Sequence, residues 1–315
     1  MPQDASNIYD LIIIGAGPAG VEAALQAQAK GLSYLLLEKD DAGALIMNTM
    51  GNKKFLHVYG RNTATLKGLL SFPDHIMGDA LVLLWREQVK SLAFQKGVTV
   101  QKVEKQNDQF TVHTNKGNFI GKKVLLTSGT FEDPRALGVP GELGNPNLFY
   151  MMDYYFDHAG KNVVVVGGGN SAVETACYLA PENSVVQIVR GPALATTVTP
   201  KNHEEHGEYI AEGKLKVFYN TKIEYIEPTK ATAKNTSGEV IELPYDLFFV
   251  HAGFMQPLEF LEQVGVATEN GKAVFNPTTF ETNLPGLYIA GALTGADSVI
   301  ESANQALAIV QNLTA

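Results

Sequence analysis

Cysteine is nearly absent from this sequence: Cys177 is the only one among 315 residues. A single thiol excludes an internal disulfide, a redox-active dithiol within the chain, and zinc or iron–sulfur sites built from several cysteines. His203 and His206 could pair as metal ligands, but they lie in a polar stretch. We therefore predict no metal site and no thiol-based catalysis.

Long apolar runs and an excess of positive charge are missing as well. The longest apolar stretches fall well short of the roughly 18 residues that span a bilayer. The first residues, MPQDASNIYD, have neither the basic nor the apolar region of a secretory signal. Asp and Glu outnumber Lys and Arg by 33 to 24, which argues against a nucleic-acid groove because that needs a concentrated basic face. We expect a cytoplasmic protein with neither a nucleic-acid nor a membrane partner.

Glycine, by contrast, is plentiful, and two glycine clusters follow the same kind of apolar run. The runs at 9–14 and 162–166 are typical of strands buried on both faces of a parallel sheet. Each leads into a glycine turn, a segment with helical periodicity, and a second strand, at 34–38 and 184–190. The sequence therefore predicts an α/β fold with two Rossmann-like, three-layer (ββα) nucleotide-binding domains.

Shorter strand-like pieces follow each of these units. After the first unit, three segments suggest a small antiparallel layer: 97–106, 109–115 and 122–129. In the second unit, 215–243 repeats the strand, turn, strand pattern and is predicted to form that unit's own antiparallel layer. A last strand at 286–290 and a helix from about Val299 follow.

The first glycine cluster, Gly15-x-Gly17-x-x-Gly20, has the spacing of a dinucleotide-binding turn. Gly15 would permit the tight turn, Gly17 would let the backbone approach a pyrophosphate, and Gly20 would let helix and strand pack closely. The N–H groups at the helix N-terminus would then bind phosphate. Glu38, at the end of the next strand, is placed to accept hydrogen bonds from the adenosine ribose.

The second cluster, Gly167-Gly-Gly169-Asn-Ser-Ala172, is the variant with alanine in the third position. At the end of its second strand stands Arg190 rather than an acid. An acid favours a free ribose 2′-hydroxyl, whereas an arginine favours a 2′-phosphate. We therefore predict NADPH here. NADH stays the alternative, because Lys201 is the only basic residue soon after Arg190.

Further stretches of the chain match one known pattern: Gly78, Thr127–Gly129, Pro134–Glu142 (PRALGVPGE), His251–Pro257 and Thr282–Gly291. Together with the glycine turns they resemble the low-molecular-weight, thioredoxin-reductase-like flavoproteins. The resemblance implies a homodimer. It also implies a discontinuous FAD-binding domain, 1–130 and 249–315, around an NAD(P)-binding domain, 131–248.

The same resemblance implies which residues contact the two cofactors. FAD would be contacted at Gly15, Gly17, Pro18, Ala19, Gly20, Glu38, Lys39, Val103, Thr127, Ser128, Gly129, Gly291, Ala292, Val299 and Ile300. NAD(P) would be contacted at Gly167, Gly169, Asn170, Ser171, Ala172, Arg190 and Gly253. The helix beginning near Val299 would point its N-terminus at the flavin, where negative charge gathers on reduction.

The chain departs from a thioredoxin reductase where that family carries Cys-x-x-Cys. That position is Tyr150-Met-Met-Asp153, so a dithiol relay to thioredoxin is chemically unavailable. The chain also resembles bacillithiol-disulfide reductases, which place a cysteine inside the first glycine turn, but here that residue is Ala19. The aromatic stretch 149–160 is closer to the ferredoxin/flavodoxin–NADP reductases of this fold, which also lack the dithiol. Cys177 is interpreted as a buried packing residue.

Two further departures lie on the predicted flavin side. The family's Gly-Asp after the last strand is Gly291-Ala292 here, which removes a carboxylate that binds the ribityl chain, and Asp297 is the acid that could compensate. Residues 46–71 are longer than the family's connection. They would cap the flavin or shape an acceptor site, or else form a plain surface excursion.

Residues and resemblance together predict an FAD-dependent NAD(P)H oxidoreductase. Hydride would pass from nicotinamide to FAD and on to a non-dithiol acceptor: ferredoxin, flavodoxin or a small molecule. The flavin would carry the chemistry, so no catalytic side chain is required. The alternatives are a flavin-binding sensor that does not turn over, and a flavoenzyme with a donor other than NAD(P)H.

Overall fold

The computed structural model describes residues 8–55, 57, 65–130, 134–152 and 158–314. These residues fall into two compact units. The first takes in the described residues up to 57, from 65 to 130, and from 255 onward; the second takes in those from 134 to 254. The break after Phe254 lies later than the predicted break after Phe248, because the strand at 247–250 pairs within the second unit's sheet.

Helices lie between strands in the first part of each unit, over 8–96 and 162–218, whereas the described residues at 94–166 and 215–250 form several consecutive strands and no helix. The strands are β1 (Ile8–Ile14), β2 (Tyr34–Glu38), β3 (Lys54–Phe55), β4 (Ile76–Met77), β5 (Phe94–Lys96), β6 (Val100–Gln106), β7 (Gln109–Thr114), β8 (Gly117–Leu126), β9 (Leu148–Phe149), β10 (Asn162–Val166), β11 (Ser184–Ile188), β12 (Leu215–Phe218), β13 (Thr221–Ile226), β14 (Lys230–Asn235), β15 (Val240–Pro244), β16 (Leu247–Val250), β17 (Thr268–Glu269), β18 (Lys272–Ala273) and β19 (Leu287–Ile289). The helices are α1 (Pro18–Ala29), α2 (Ala44–Met50), α3 (Gly78–Val89), α4 (Asn170–Leu179), α5 (Pro200–Ala211), α6 (Leu258–Val264) and α7 (Val299–Leu313), with a 3-10 turn at Gly291–Thr294.

The first unit is built on a sheet of order β5-β2-β1-β8-β7-β6, with β19 also paired to β8. Its central strand β1 runs parallel to both neighbours, and Ile12 lies opposite Leu35 on one side and Val124 on the other. Only the first half of β8 pairs antiparallel with β7; the second half is parallel to β1. The prediction that 122–129 belongs to an antiparallel layer is therefore wrong. Because residues 124–126 are fully buried, this half of β8 lies in the parallel sheet.

The second unit has a fully parallel sheet of order β12-β11-β10-β16-β9 and a separate antiparallel layer, β13-β14-β15. The predicted layer at 215–243 is right except at its start. Leu215 is buried and lies opposite Val185 at the edge of the parallel sheet. A four-residue strand with one buried side chain does not reveal from sequence which sheet it joins.

In both units the glycine cluster follows the carboxyl end of the central strand, β1 or β10, and opens the next helix. Ligands of open α/β sheets bind at this edge. Helices α1 and α7 pack against each other on one face of the first sheet, with Ala23 and Ala303 both fully buried in their shared core. In the described part of the chain, no helix is long and apolar enough to cross a bilayer.

Candidate functional site

The first glycine turn joins β1 to α1, and two of its glycines are required by the protein itself. Gly15 has a φ of +105°, and a Cβ there would lie 2.6 Å from the carbonyl oxygen of Thr127. A Cβ on Gly20 would lie 1.8 Å from the carbonyl oxygen of Gly15. The Thr127 hydroxyl closes the turn by donating to that same oxygen at 2.7 Å. These contacts seat the start of α1 directly on the end of β1.

Gly17 is different, because nothing in the protein requires a glycine there. It is the N-cap of α1 with φ −74° and ψ −173°, an extended conformation open to any residue. No neighbouring atom lies within 4 Å of a Cβ built on it. The first N–H groups of a helix lack intrahelical partners and attract anions. The open space at this helix end therefore fits the pyrophosphate of a dinucleotide.

Glu38 also holds the first turn in shape. Its Oε2 accepts the N–H of Ala16 at 2.7 Å, and its Oε1 accepts the N–H of Asp40 at 2.9 Å. Sequence reasoning gave this residue only a role toward ribose. A carboxylate oxygen has two acceptor sites, so these bonds leave Glu38 able to accept a ribose hydroxyl as well.

The end of β19 meets the same turn. A Cβ on Gly291 would lie 3.5 Å from the Cβ of Ala19, inside the turn. Gly291 donates its N–H to Oε1 of Gln305, on α7, at 2.9 Å. Gln305 was not predicted from the sequence, because no local sequence pattern indicates a contact between residues 14 positions apart. Three of the elements that the resemblance assigned to FAD therefore come together: the first turn, Gly291 and α7.

The N-terminus of α7 is capped by its own residues. The Ser298 hydroxyl accepts the N–H of Glu301 at 3.1 Å, the pairing that the Ser-x-x-Glu pattern at 298–301 predicts. Ser298 was nevertheless not among the residues predicted to contact FAD. Ala292 is half-buried, and Asp297, the acid that could replace the missing carboxylate, is exposed.

The other residues predicted to contact FAD lie at different depths. Exposed are Lys39 and Ser128; half-buried are Pro18, Gly129 and Val299; buried are Ala19, Val103 and Ile300. Val103 lies in β6 opposite Val112, with its side chain in the core. The assignment of all these residues to FAD stays a prediction.

The second glycine turn, between β10 and α4, repeats the design of the first. Gly167 has a φ of +140°, and a Cβ there would lie 2.5 Å from the carbonyl oxygen of His251 and 3.0 Å from the Cβ of Ala172. Gly169 is the N-cap of α4 with φ −94° and ψ −179°, and nothing lies within 4 Å of a Cβ built on it. The second unit therefore has its own open helix N-terminus.

Two buried polar side chains support this second turn and were not predicted. Gln187, in β11, donates from Nε2 to the carbonyl oxygen of Gly167 at 2.9 Å. Its Oε1 lies 2.7 Å from Nε2 of His206, on α5. Because the Gln187 amide nitrogen is committed to Gly167, its oxygen must accept, so His206 carries its proton on Nε2. Burial mainly, and the neighbouring His203 in addition, lower the pKa of His206 below its ordinary value of 6.5.

The His206 pKa makes stability depend on pH with a definite sign. Below pH 6.5, His206 becomes protonated in the unfolded chain, whereas in the folded protein it stays neutral until the pH reaches its lowered pKa. The free energy of unfolding should therefore fall as the pH drops from 6.5 to the lowered pKa, by at most about 1.4 kcal/mol per pH unit. Urea unfolding at about pH 7.5 and about pH 5.5 measures this loss. In His206→Gln the loss should be smaller; an equal loss in both proteins would contradict the assignment.

The remaining residues predicted to bind NAD(P) divide into two kinds. Asn170 uses its side chain within the protein: Oδ1 accepts the N–H of Thr199 at 2.9 Å, and Nδ2 donates to the carbonyl of Thr197 at 3.0 Å. Its oxygen is fully used, since it also accepts from Nδ2 of Asn202 at 3.1 Å, which leaves its second amide hydrogen and its backbone for a ligand. Three others are exposed, namely Ser171, Arg190 and Gly253. Arg190 lies two residues beyond Ile188, the last residue of β11, close to the strand end at which the sequence placed it.

The single thiol of the chain and the hydroxyl of Tyr150 both stay protonated at neutral pH. Cys177 is buried against Val173 and Val198, and burial above all raises the pKa of its thiol to about 12. Tyr150, at the position of the family's first cysteine, donates its hydroxyl to Glu142 at 2.9 Å. Burial and that carboxylate raise the pKa of Tyr150 to about 12. The aromatic residues 154–156 lie outside the described residues.

Sequence comparison relates the chain to several reductases. The family described as pyridine nucleotide-disulphide oxidoreductase matches residues 12–291. The bacilliredoxin reductase Bdr of Bacillus subtilis is 27% identical over 309 residues, covering 92% of this chain and 91% of that protein. A ferredoxin–NADP reductase of Lactococcus lactis is 29% identical over 294 residues, covering 90% of this chain and 85% of that protein.

Solved structures show the same fold. The bacillithiol disulfide reductase Bdr of Bacillus cereus superposes with a TM-score of 0.86 at 23% identity, covering 98% of this chain and 99% of that one. The thioredoxin reductase of T. acidophilum superposes with a TM-score of 0.78 at 25% identity, covering 97% of each chain.

Two Rossmann-type units in one chain define an α/β protein of the two-domain, FAD- and NAD(P)-binding class, which confirms the predicted fold. The chain belongs to the pyridine nucleotide-disulphide oxidoreductase family. It is an FAD-dependent oxidoreductase, as the sequence predicted. Its single cysteine means that it lacks the Cys-x-x-Cys of a thioredoxin reductase.

Proposed function

We propose that this protein passes electrons from NADPH through FAD to an acceptor that is not a dithiol protein. The observation that carries the proposal is the pair of open helix N-termini at Gly17 and Gly169. At each of these helix ends a phosphate could bind, and neither the backbone conformation nor the packing of the protein requires glycine there. Thioredoxin reductase and ferredoxin–NADP reductase relatives bind FAD and use NADPH, which supports FAD and NADPH as the two dinucleotides.

In this proposal the first unit holds FAD. The N-terminus of α1 at Gly17 would bind the pyrophosphate, Glu38 the ribose, and the N-terminus of α7 would face the flavin. When bound, FAD supplies the redox chemistry by accepting hydride from the nicotinamide and passing electrons on. The positive end of α7 would favour the negative charge that reduction adds. The proposed reaction requires no side chain to act as an acid or a base.

The second unit would hold NADPH. The N-terminus of α4 at Gly169 would bind its pyrophosphate, and Gln187 would keep the Gly167 carbonyl turned inward, away from the phosphates. The exposed Arg190 would bind the 2′-phosphate. Because Arg190 is the single arginine placed to bind the 2′-phosphate, NADH stays the alternative donor.

The class of electron acceptor is inferred from the lack of a reactive thiol in this chain. Thiol–disulfide exchange needs a thiolate, and the one thiol, Cys177, is buried with its pKa raised to about 12. We therefore propose a one-electron protein such as ferredoxin or flavodoxin, or a small molecule. Exposed lysines at Lys54 and Lys67 support an acidic redox protein, because local positive charge steers acidic partners. The homodimer and the cytoplasmic location that the sequence suggested belong to the same proposal.

An anaerobic titration of the FAD-loaded protein with NADPH tests the donor. We expect prompt bleaching of the oxidised-flavin band near 450 nm, complete at about one equivalent, because one hydride reduces one flavin. Dithionite on the same sample is the control that the flavin can be reduced. Bleaching by dithionite but not by NADPH would contradict the proposed donor. NADH, added next, would then separate a different nicotinamide from a sensor that does not turn over.

A further inference from the structure

Glu22 is a carboxylate with no exposure to solvent, on the helix that follows the first glycine turn. Its Oε2 accepts the backbone N–H groups of Leu69 at 2.8 Å and Leu70 at 2.6 Å. Its Oε1 accepts from Nε2 of Gln26, one turn further along α1, at 2.7 Å. A buried carboxylate persists only when its oxygens are hydrogen-bonded. Glu22 and the backbone at Leu69 and Leu70 therefore hold each other in place.

The same segment is tied to a second helix. Asn304, on α7, accepts the N–H of Lys67 through Oδ1 at 2.9 Å. Its Nδ2 donates to the carbonyl oxygen of Thr65 at 2.9 Å. Residues 65–70 thus form a strap that runs from α7 to α1, with one side-chain anchor on each helix.

Gly68 lies between the two anchors, in direct contact with the first. A Cβ on Gly68 would lie 2.0 Å from Oε1 of Glu22, far inside the separation that two atoms tolerate. Its backbone has no positive φ that would call for glycine. Glycine at position 68 therefore allows the Glu22 carboxylate to lie close to the backbone of the strap.

Both anchors lie at a similar depth along their helices. Glu22 is five residues beyond Gly17, the N-cap of α1, and Asn304 is six residues beyond Ser298, the N-cap of α7. At 1.5 Å of rise per residue, the anchors lie about 7.5 Å and about 9 Å from their helix N-termini. The strap thus ties the two helices together between one and two turns behind the ends that the proposed FAD site uses.

We propose that Glu22 and Asn304 are positioning residues for FAD, an inference that rests on the proposed placement of FAD at the first turn. One cofactor must meet the N-terminus of α1 with its pyrophosphate and that of α7 with its flavin. Its affinity therefore depends on the distance between these two helix ends. The strap fixes that distance together with the direct packing of α1 against α7, and bound FAD should in turn keep the strap from opening.

Titration of apo-protein with FAD tests the inference directly. Glu22→Ala and Asn304→Ala should each weaken FAD binding about tenfold or more, corresponding to about 1.4 kcal/mol. Glu22→Gln keeps an oxygen for both backbone N–H groups, so it should restore most of the affinity lost in Glu22→Ala. Asn304 is only half-buried, so Asn304→Ala remains a usable variant if Glu22→Ala fails to fold.

Trypsin provides a second measurement, because the Lys67–Gly68 bond lies within the strap. Proteolysis reports local opening of the backbone. FAD should slow cleavage at this bond in the wild-type protein, and Glu22→Ala should remove the protection. The Lys116–Gly117 bond, exposed between β7 and β8 of the same unit, is the matched control and should be cut equally fast with and without FAD.

Glu142→Ala is the control for a purely structural effect. Glu142 is also a buried carboxylate that accepts two backbone N–H groups, of Leu137 at 2.7 Å and Gly138 at 2.8 Å, but in the second unit. Its loss should destabilise the protein and leave FAD affinity unchanged. Unchanged FAD affinity in Glu22→Ala and Asn304→Ala, or an equal loss in Glu142→Ala, would overturn the inference.

The outcome also separates this inference from the proposed function. Wild-type apo-protein that takes up no FAD would overturn both. Wild-type protein and strap variants that bind FAD equally tightly would overturn only the role of the strap, and the NADPH titration would still decide the donor.

Discussion

Gly17→Val should give a folded protein that purifies without FAD. Valine is compatible with the extended backbone at Gly17, and no neighbouring atom lies within 4 Å of its Cβ. The side chain would instead fill the space that the pyrophosphate needs at the N-terminus of α1. We expect FAD affinity to fall at least about 100-fold, or about 2.7 kcal/mol. The ratio of absorbance at 450 and 280 nm after purification measures the loss.

Gly207→Val is the matched control for that experiment. Gly207 is exposed in α5, has no positive φ, and also has nothing within 4 Å of a built Cβ. Gly207 lies in the interior of α5, away from both helix N-termini that open onto a glycine turn. Gly207→Val should therefore purify fully loaded with flavin. A yellow, fully loaded Gly17→Val protein would show that the first turn is not the FAD site.

The glycine turns show how much of a site the sequence can predict. The pattern Gly-x-Gly-x-x-Gly predicted a different role for each glycine. The structure gives Gly15 a positive φ, gives Gly20 a contact that admits no Cβ, and leaves Gly17 open. The backbone roles of Gly15 and Gly20 could be predicted because the turn, its strand and its helix are contiguous in the chain, so local spacing determines their geometry; the pyrophosphate at Gly17 stays a prediction.

The supports of the turns could not be predicted in the same way. Glu22 meets Leu70 across 48 positions of sequence, and Gln187 meets His206 across 19. A buried glutamate on a helix and a polar residue in a parallel strand look in sequence like exposed positions. Their hydrogen bonds exist only once strands and helices are assembled. The sheet assignment of β12 failed for the same reason, since pairing partners are set by tertiary packing.

Gly169→Val should give the opposite phenotype to Gly17→Val: a protein that keeps FAD and loses NADPH. Gly169 has the same extended backbone and the same open space, but at the N-terminus of α4. We expect the apparent Kd for NADPH, from the rate of anaerobic flavin bleaching against NADPH concentration, to rise at least about 100-fold. The amount of bound FAD and its reduction by dithionite should stay at wild-type values.

The two valine variants together test the assignment of one cofactor to each turn. If the units bind their dinucleotides independently, each substitution removes one function and spares the other, because the two open glycines lie on different helices of different units. Loss of FAD from Gly169→Val would place the flavin at the second turn and reverse the assignment. Bleaching by NADPH at wild-type rates in Gly169→Val would show that the nicotinamide does not bind through α4. The chain would then be a flavoprotein reduced by another route, the alternative that Ala292 and the single arginine at Arg190 leave open.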